Sequence, residues 1–224
     1  MNIIKLEYIW LDGYVTKNLR SKTKILQDRE FIGDQIDLHH LPKWTFDGSS
    51  TRQGEYYCGV GVSNVAGREI VEAHLDACLK AGLSISGVNA EVMLGQWEYQ
   101  LFGKGTDAAD DLWLSRYLLH RIAEKYGVGV DLRPKPMDGD WNGSGMHINF
   151  SNWDMRNVGG LDMMKNICLK LEDSHKEFIK YYGEDNKLRL TGEYETQHIN
   201  KFSYGVSDRG ASIRIPLGVA NDSF

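Results

Sequence analysis

The stretch NAEVMLGQWEYQ, residues 89 to 100, sets Glu91 and Glu98 seven positions apart. Val92, Trp97 and Tyr99 favour extended backbone and Leu94 with Gly95 supplies a turn, so the segment reads as a hairpin. With Leu94 and Gly95 as a two-residue turn, Glu91 falls directly opposite Glu98. One face then carries Asn89, Glu91, Met93, Gln96, Glu98 and Gln100, and the other Ala90, Val92, Trp97 and Tyr99. Like charges facing each other across a sheet repel. A divalent cation with oxygen ligands is the counter-charge that suits them. On an isolated hairpin, two acids on a solvated face would need no ion.

Four further segments carry chemistry. In PKPMDGDWNGSGMHINFS, residues 134 to 151, Asn142 and Gly143 signal a turn, and the glycines let backbone approach a ligand closely. His147, Asn149 and Ser151 then alternate with Met146, Ile148 and Phe150, which predicts a strand with one polar face and one core face. LRLTGEYETQHIN reads as a loop bearing Arg189, Glu193, Glu195 and His198. SDRGASIRIP places Arg209 before a strand and Arg214 within it, and arginine forks suit carboxylates and phosphates. FDGSS sets Asp47 and two hydroxyls in a turn. Taken alone, each has an ordinary reading as a structural histidine, a surface ion pair or a local cap.

The elements that must position these groups alternate irregularly. The first fifty residues read as strands and turns, with IIKLEYIWLDG alternating and KWTFDGSS a further short strand. Spacing predicts an amphipathic helix over 66–82, with Ile70, His74, Ala77 and Cys78 on its stripe and Gly82 as its stop. A second helix follows Asp107, with Leu114, Tyr117, Leu118 and Ile122 as its buried stripe and Gly127 ending it. Residues 161–183 predict one long helix, on which His175 is a packed rather than a catalytic residue. The pattern favours α+β over a doubly wound sheet.

At 224 residues the chain can bury a sizeable core, and 26 basic against 31 acidic side chains give no sign of a general nucleic-acid binder. The three cysteines, Cys58, Cys78 and Cys168, form no C-x-x-C pair and suit a reducing cytoplasm. Lys5 and Glu7 interrupt the apolar N-terminus and no run of eighteen apolar residues exists, so neither secretion nor a membrane span is expected.

Read in order, FDGSST, YYCGVG, NAEVMLGQWEYQ, PKPMDGDWNGSGMHINFS, RLTGEYET and RGASIRIP resemble the type II glutamine synthetase family. The resemblance implies a small N-terminal β-grasp domain, here residues 1–50, and a catalytic domain over 51–224. In the latter a curved antiparallel sheet forms a metal-lined funnel flanked by helices. It implies sites shared between subunits of a homodecamer built from two five-membered rings. The implied substrates are glutamate, ammonia and ATP, and the implied reaction is ligation through γ-glutamyl phosphate.

By motif position, Glu91 and Glu98 resemble ligands of one metal and His147 a ligand of a second, both Mg2+ or Mn2+. Asn142 and Gly143 resemble substrate contacts, and Arg189 the clamp on the substrate carboxylate. Arg209 and Arg214 resemble the phosphate-stabilising pair, and Glu195 the flap glutamate that shields the intermediate from water. Asp47 resembles the residue that binds ammonium and takes its proton, with Ser50 lining that site. Asn149, Ser151 and Arg156 match the nucleotide-contacting stretch.

The match has gaps. Between FDGSSTRQ and GEYYCGVG the family carries a long segment with further acidic metal ligands, and after RIPLGVANDSF it continues with another ligand and a phosphate contact. Lacking these, the first metal misses a carboxylate and the second keeps only His147, which predicts weak metal binding. The junction near residues 52–54 is expected to mark where a longer enzyme's segment is absent. Leu94 stands where the family usually has proline, and Tyr194 where it usually has histidine. Two other readings accompany the ligase: a γ-glutamyl-amine ligase using a larger amine, and an incomplete relative acting as an assembly or regulatory subunit.

Overall fold

A computed structural model describes residues 3–27, 39, 41–44, 56–157 and 160–221. The chain forms two compact units, Met1–Val130 and Asp131–Phe224. Asp47, Ser50 and the junction near residues 52–54 lie outside the described residues.

In the first unit, β1 (Ile3–Leu11), β2 (Leu19–Gln27), β3 (Ile85–Ala90) and β4 (Trp97–Leu101) form an antiparallel sheet in that order. The alternation expected of IIKLEYIWL is observed: β1 turns Ile4, Leu6, Tyr8 and Trp10 inward and the odd positions outward. Asp12 closes the β1 to β2 connection by accepting the N–H groups of Tyr14 and Asn18 at 3.2 and 3.1 Å. The Arg20 Nε donates to its other oxygen at 3.0 Å. Burial would raise the Asp12 carboxyl, but these donors outweigh it and hold the group below its ordinary value.

Two helices pack against this sheet, α1 (Arg68–Lys80) and α2 (Asp107–Lys125). Both end as their glycines predict. Gly82 and Gly127 take φ of 81° and 64°, values that carry a steric penalty for any residue with a Cβ. The N–H groups of Leu83 and Val128 return to the carbonyls of Cys78 and Ala123 at 3.0 and 3.1 Å, the Schellman closure. Ile25, Leu75, Cys78, Leu83, Ile85 and Val88 make the core, with Tyr99 and Leu118 packed on it.

The expected stripe of α2 is corrected in part. Leu118 and Ile122 face inward, but Leu114 is 42% exposed and Tyr117 59% exposed, while Ser115 is fully buried. Polar anchors set this rotation: the Ser115 carbonyl bonds His74 Nε2 at 2.9 Å and its hydroxyl lies 3.0 Å from the Tyr99 hydroxyl. Burial lowers the His74 pKa, which fits a neutral ring donating from Nε2 to that carbonyl.

The second unit contains α3 (Trp153–Asn157), α4 (Gly160–Asp173), α5 (His175–Ile179), α6 (Leu217–Asn221) and a parallel pair, β5 (Tyr204–Val206) and β6 (Ile213–Ile215). The single helix expected over 161–183 is broken at Ser174, whose carbonyl starts a new turn by accepting from Glu177 and Phe178. His175 is packed as expected, its Nε2 3.0 Å from the Ile199 carbonyl and its ring edge-on to Phe202. Met155, Met164, Cys168 and Ile215 form the core of this unit.

The strand expected over 146–151 is not formed. Ile148 is 70% exposed and Phe150 59% exposed, so their face does not enter a core. A strand needs a neighbour to accept its ladder hydrogen bonds, and among the described residues none pairs here. No helix among the described residues is long and apolar enough to cross a membrane.

Candidate functional site

The hairpin carries its carboxylates on one face, in a register that corrects the expected one. Asn89 pairs with Glu98 and Ala90 with Trp97, so Glu91 is diagonal to Glu98 rather than opposite it. The cause lies in the turn. Gln96 N–H donates to Met93 O at 2.9 Å around Gly95, which has φ 82°, and Glu91 N–H donates to Gln96 O at 2.8 Å. A shift of two residues preserves which side chains share a face. Two amides fill the space between the anions: Asn89 Nδ2 donates to Glu91 Oε1 at 3.0 Å, and Gln100 Nε2 donates to Asn89 Oδ1 at 3.1 Å and to Glu98 Oε1.

The surroundings feel these charges. Burial, helped by the Glu91 charge, pushes the Cys58 thiol up to about 12. Burial together with Cys58, Glu91 and Glu98 also pushes up the Tyr57 hydroxyl. Lys22 is lowered by burial, an effect that Cys58 and Glu98 partly offset. Two oxygen donors on one face fit a hard dication of the Mg2+ kind, which takes one or two carboxylates and keeps several waters. Among the described residues no three His, Cys, Asp or Glu side chains group closely enough to hold an ion by themselves. Water and substrate oxygens would have to complete such a shell.

In the second unit, Gly143 and Gly145 form a slot for Arg189. A Cβ on Gly143 would sit 2.2 Å from Arg189 Cγ, and one on Gly145 2.7 Å from Arg189 Cζ. Burial lowers the Arg189 pKa, and its Nε has no hydrogen-bond partner. Nε itself is closed off, while the residue as a whole is half-buried, so a carboxylate would have to meet the guanidinium at its Nη groups. The structure thus brings Gly143, next to Asn142, against Arg189. Gly143→Ala is expected to displace Arg189, lowering stability by about 1–3 kcal/mol and raising the KM for any substrate that Arg189 holds. Thermal unfolding and steady-state kinetics check the two effects.

A second charged group gathers Glu195, Arg209 and Arg214. Arg209 Nε lies 3.5 Å from Glu195 Oε2, and burial together with the Arg214 charge lowers the Arg209 pKa. Arg214 projects from β6 on the side away from the buried Ile215. Glu195 and its neighbour Tyr194 both take left-handed backbone, with φ 59° and 53°.

From α3, Arg156 Nη1 donates back to the Ser151 hydroxyl at 2.7 Å and carbonyl at 2.9 Å, just ahead of the helix, joining two of the three residues of the expected nucleotide stretch. His147 and the third, Asn149, lie exposed on the segment that forms no strand. Sequence reasoning missed Lys135, Asp140 and Thr196. Thr196 Oγ1 lies 3.1 Å from Arg189 O, and Lys135 Nζ donates to the carbonyls of Gly139, at 3.2 Å, and Trp141. The Tyr194 departure was the one local signal near them.

Two carboxylates share one hairpin face in the first unit, and in the second unit guanidiniums stand beside glycine-lined backbone, groups whose chemistry suits cations and anions respectively. Residues 6–171 match the family described as Glutamine synthetase, catalytic domain, and the chain belongs to the glutamine synthetase family. It is 39% identical to a Bradyrhizobium diazoefficiens glutamine synthetase over 311 aligned positions, covering all of this chain and 89% of that protein. That alignment is longer than the 224-residue chain and so crosses gaps in it. Identity is 52% over 182 residues to the Yarrowia lipolytica glutamine synthetase, covering 81% of this chain and 50% of that protein. It is 55% over 197 residues to the Emericella nidulans glutamine synthetase, covering 88% and 54%. The chain spans about half the length of these fungal relatives.

Proposed function

We propose that the protein to which this chain belongs ligates ammonia to glutamate at the expense of ATP, giving glutamine, ADP and phosphate. The observation that carries this reading is the Arg189 side chain held against Gly143 and Gly145, in a chain of the glutamine synthetase family. In the first step a γ-carboxylate oxygen of glutamate attacks the γ-phosphorus of ATP and ADP leaves. In the second, ammonia attacks the acyl carbon and phosphate leaves.

Arg189, with Asn142 and Gly143, holds the amino-acid end of glutamate. Arg209 and Arg214 spread positive charge over the transferring phosphoryl group, and such fixed charges act on the transition state without reorganising. Glu195 covers the acyl phosphate against water. Asp47 takes the proton from ammonium beside Ser50, and Ser151, Arg156 and Asn149 contact the nucleotide. Glu91 and Glu98 would hold one Mg2+ or Mn2+ and His147 a second; when bound, these ions neutralise phosphate charge and orient the transfer.

The same reading carries the N-terminal β-grasp domain over 1–50, the catalytic domain over 51–224 with its funnel-shaped sheet, the homodecamer and a cytoplasmic setting. The β1 to β2 hairpin supports the first of these, although β2 here also pairs with β3. The test is transfer of label from 15N-ammonium into glutamine by the full-length protein with glutamate, ATP and Mg2+ or Mn2+. Labelled glutamine is the expected product. Absence of product under both metals, or a preference for polyamines over ammonium, would refute it.

A further inference from the structure

The 193–196 turn is tied to the segment that carries Asn142. The Tyr194 hydroxyl donates to Asp140 Oδ1 at 2.6 Å, two residues before Asn142. Lys135 Nζ lies 5.3 Å from the centre of the Tyr194 ring, and the same ammonium donates to the carbonyls of Gly139 and Trp141. From the other side, Thr196 N–H donates to Glu193 O at 3.1 Å, and Thr196 Oγ1 reaches Arg189 O. Between these ties the backbone is left-handed at both Tyr194 and Glu195, a conformation that L residues with a Cβ hold only when their surroundings enforce it. Glu195 leaves this turn to meet Arg209.

We propose that Tyr194 is a positioning residue: its hydroxyl, anchored on Asp140, holds the 193–196 turn in the left-handed form that aims Glu195 at Arg209. The acceptor is charged and the contact short, and charge-assisted bonds of this kind are roughly twice as strong as neutral ones. The ring packs over an ammonium that itself braces the 139–141 backbone, so turn and anchor are braced by one cation. The functional part of the proposal rests on Glu195 shielding the acyl phosphate. Loss of the anchor then lets water compete with ammonia: ADP and phosphate form without matching glutamine, the acyl carbon taking water oxygen instead of nitrogen.

The test compares Tyr194→Phe, Asp140→Ala, the double variant and Asp140→Asn in the full-length protein. Tyr194→Phe keeps the ring and its cation and removes only the hydroxyl. Amide hydrogen exchange over 193–196 should quicken roughly tenfold in Tyr194→Phe and in Asp140→Ala. The double variant should be no faster than either single, because both remove one bond. Asp140→Asn keeps an acceptor and should restore most of the protection. The ratio of phosphate released to glutamine formed should rise in the same order. Unchanged exchange in Tyr194→Phe, or additive effects in the double variant, overturns the positioning role even when the wild type makes glutamine normally. Altered exchange with a wild type that makes no glutamine would leave the anchor standing and refute the ligase reading instead.

Discussion

Replacing Asp12 by alanine should lower the stability of the first unit by about 3–5 kcal/mol, because it strands a buried guanidinium without its counter-ion. The Arg20 side chain is 2% exposed and that of Asp12 is fully buried, and two guanidinium nitrogens approach the same carboxylate oxygen at 3.0 Å. The consequence reaches the hairpin. Arg20 Nη1 also donates to Tyr57 O at 2.7 Å, and the next residue accepts from Ser21 N–H at 2.8 Å and donates from Cys58 N–H to Ala90 O at 2.9 Å. Removing Asp12 therefore loosens the strip between β2 and β3 that borders Glu91. The urea midpoint at constant m-value measures the loss, and Asp12→Asn should cost less because it keeps an acceptor.

The pH dependence follows from the same pair. The Asp12 carboxyl is held below its ordinary value, so its contribution is complete above that value and is lost as pH falls through the folded-state pKa. The stability gap between wild type and Asp12→Ala should be constant near neutrality and narrow below about pH 4. A gap that instead widened in acid would contradict an ionised native Asp12.

The second large effect is expected at Arg189. Truncation to alanine should raise the KM for glutamate about 100-fold while leaving that for ATP within about threefold, since the loss of a buried charge pair costs roughly 2–5 kcal/mol. Arg189→Lys should restore little. A lysine ammonium lacks the planar fork that pairs with both oxygens of a carboxylate, and the slot between Gly143 and Gly145 is shaped around the arginine stem. Isothermal titration with glutamate and initial-rate kinetics separate binding from turnover.

What the sequence revealed and what it hid divide along a physical line. The stops of α1 and α2 were legible because a glycine at a helix end acts locally through its own backbone freedom. The polar face of the 89–100 hairpin was legible because alternation fixes faces. Its register was not, because a slip of two residues leaves every side chain on the same side. The α2 stripe was misread where polarity overrode it: Ser115 turns inward to reach His74 and Tyr99, drawing Leu114 and Tyr117 toward solvent. The 146–151 alternation predicted a strand, but a strand is a property of two segments and only one was visible. Contacts between distant positions, such as Tyr194 with Asp140 across 54 residues, leave no periodic trace at all.

The proposed ligation needs Glu91 and Glu98 to act as an anionic pair that holds its cation. It is tested most directly by titrating Mg2+ while following labelled glutamine formation in the full-length protein and in Glu98→Gln. Mg2+ dependence should be saturable in the wild type, and the variant should require at least about tenfold more Mg2+, as expected when one carboxylate of a two-carboxylate site becomes an amide. Superimposable titration curves for the two proteins would contradict it.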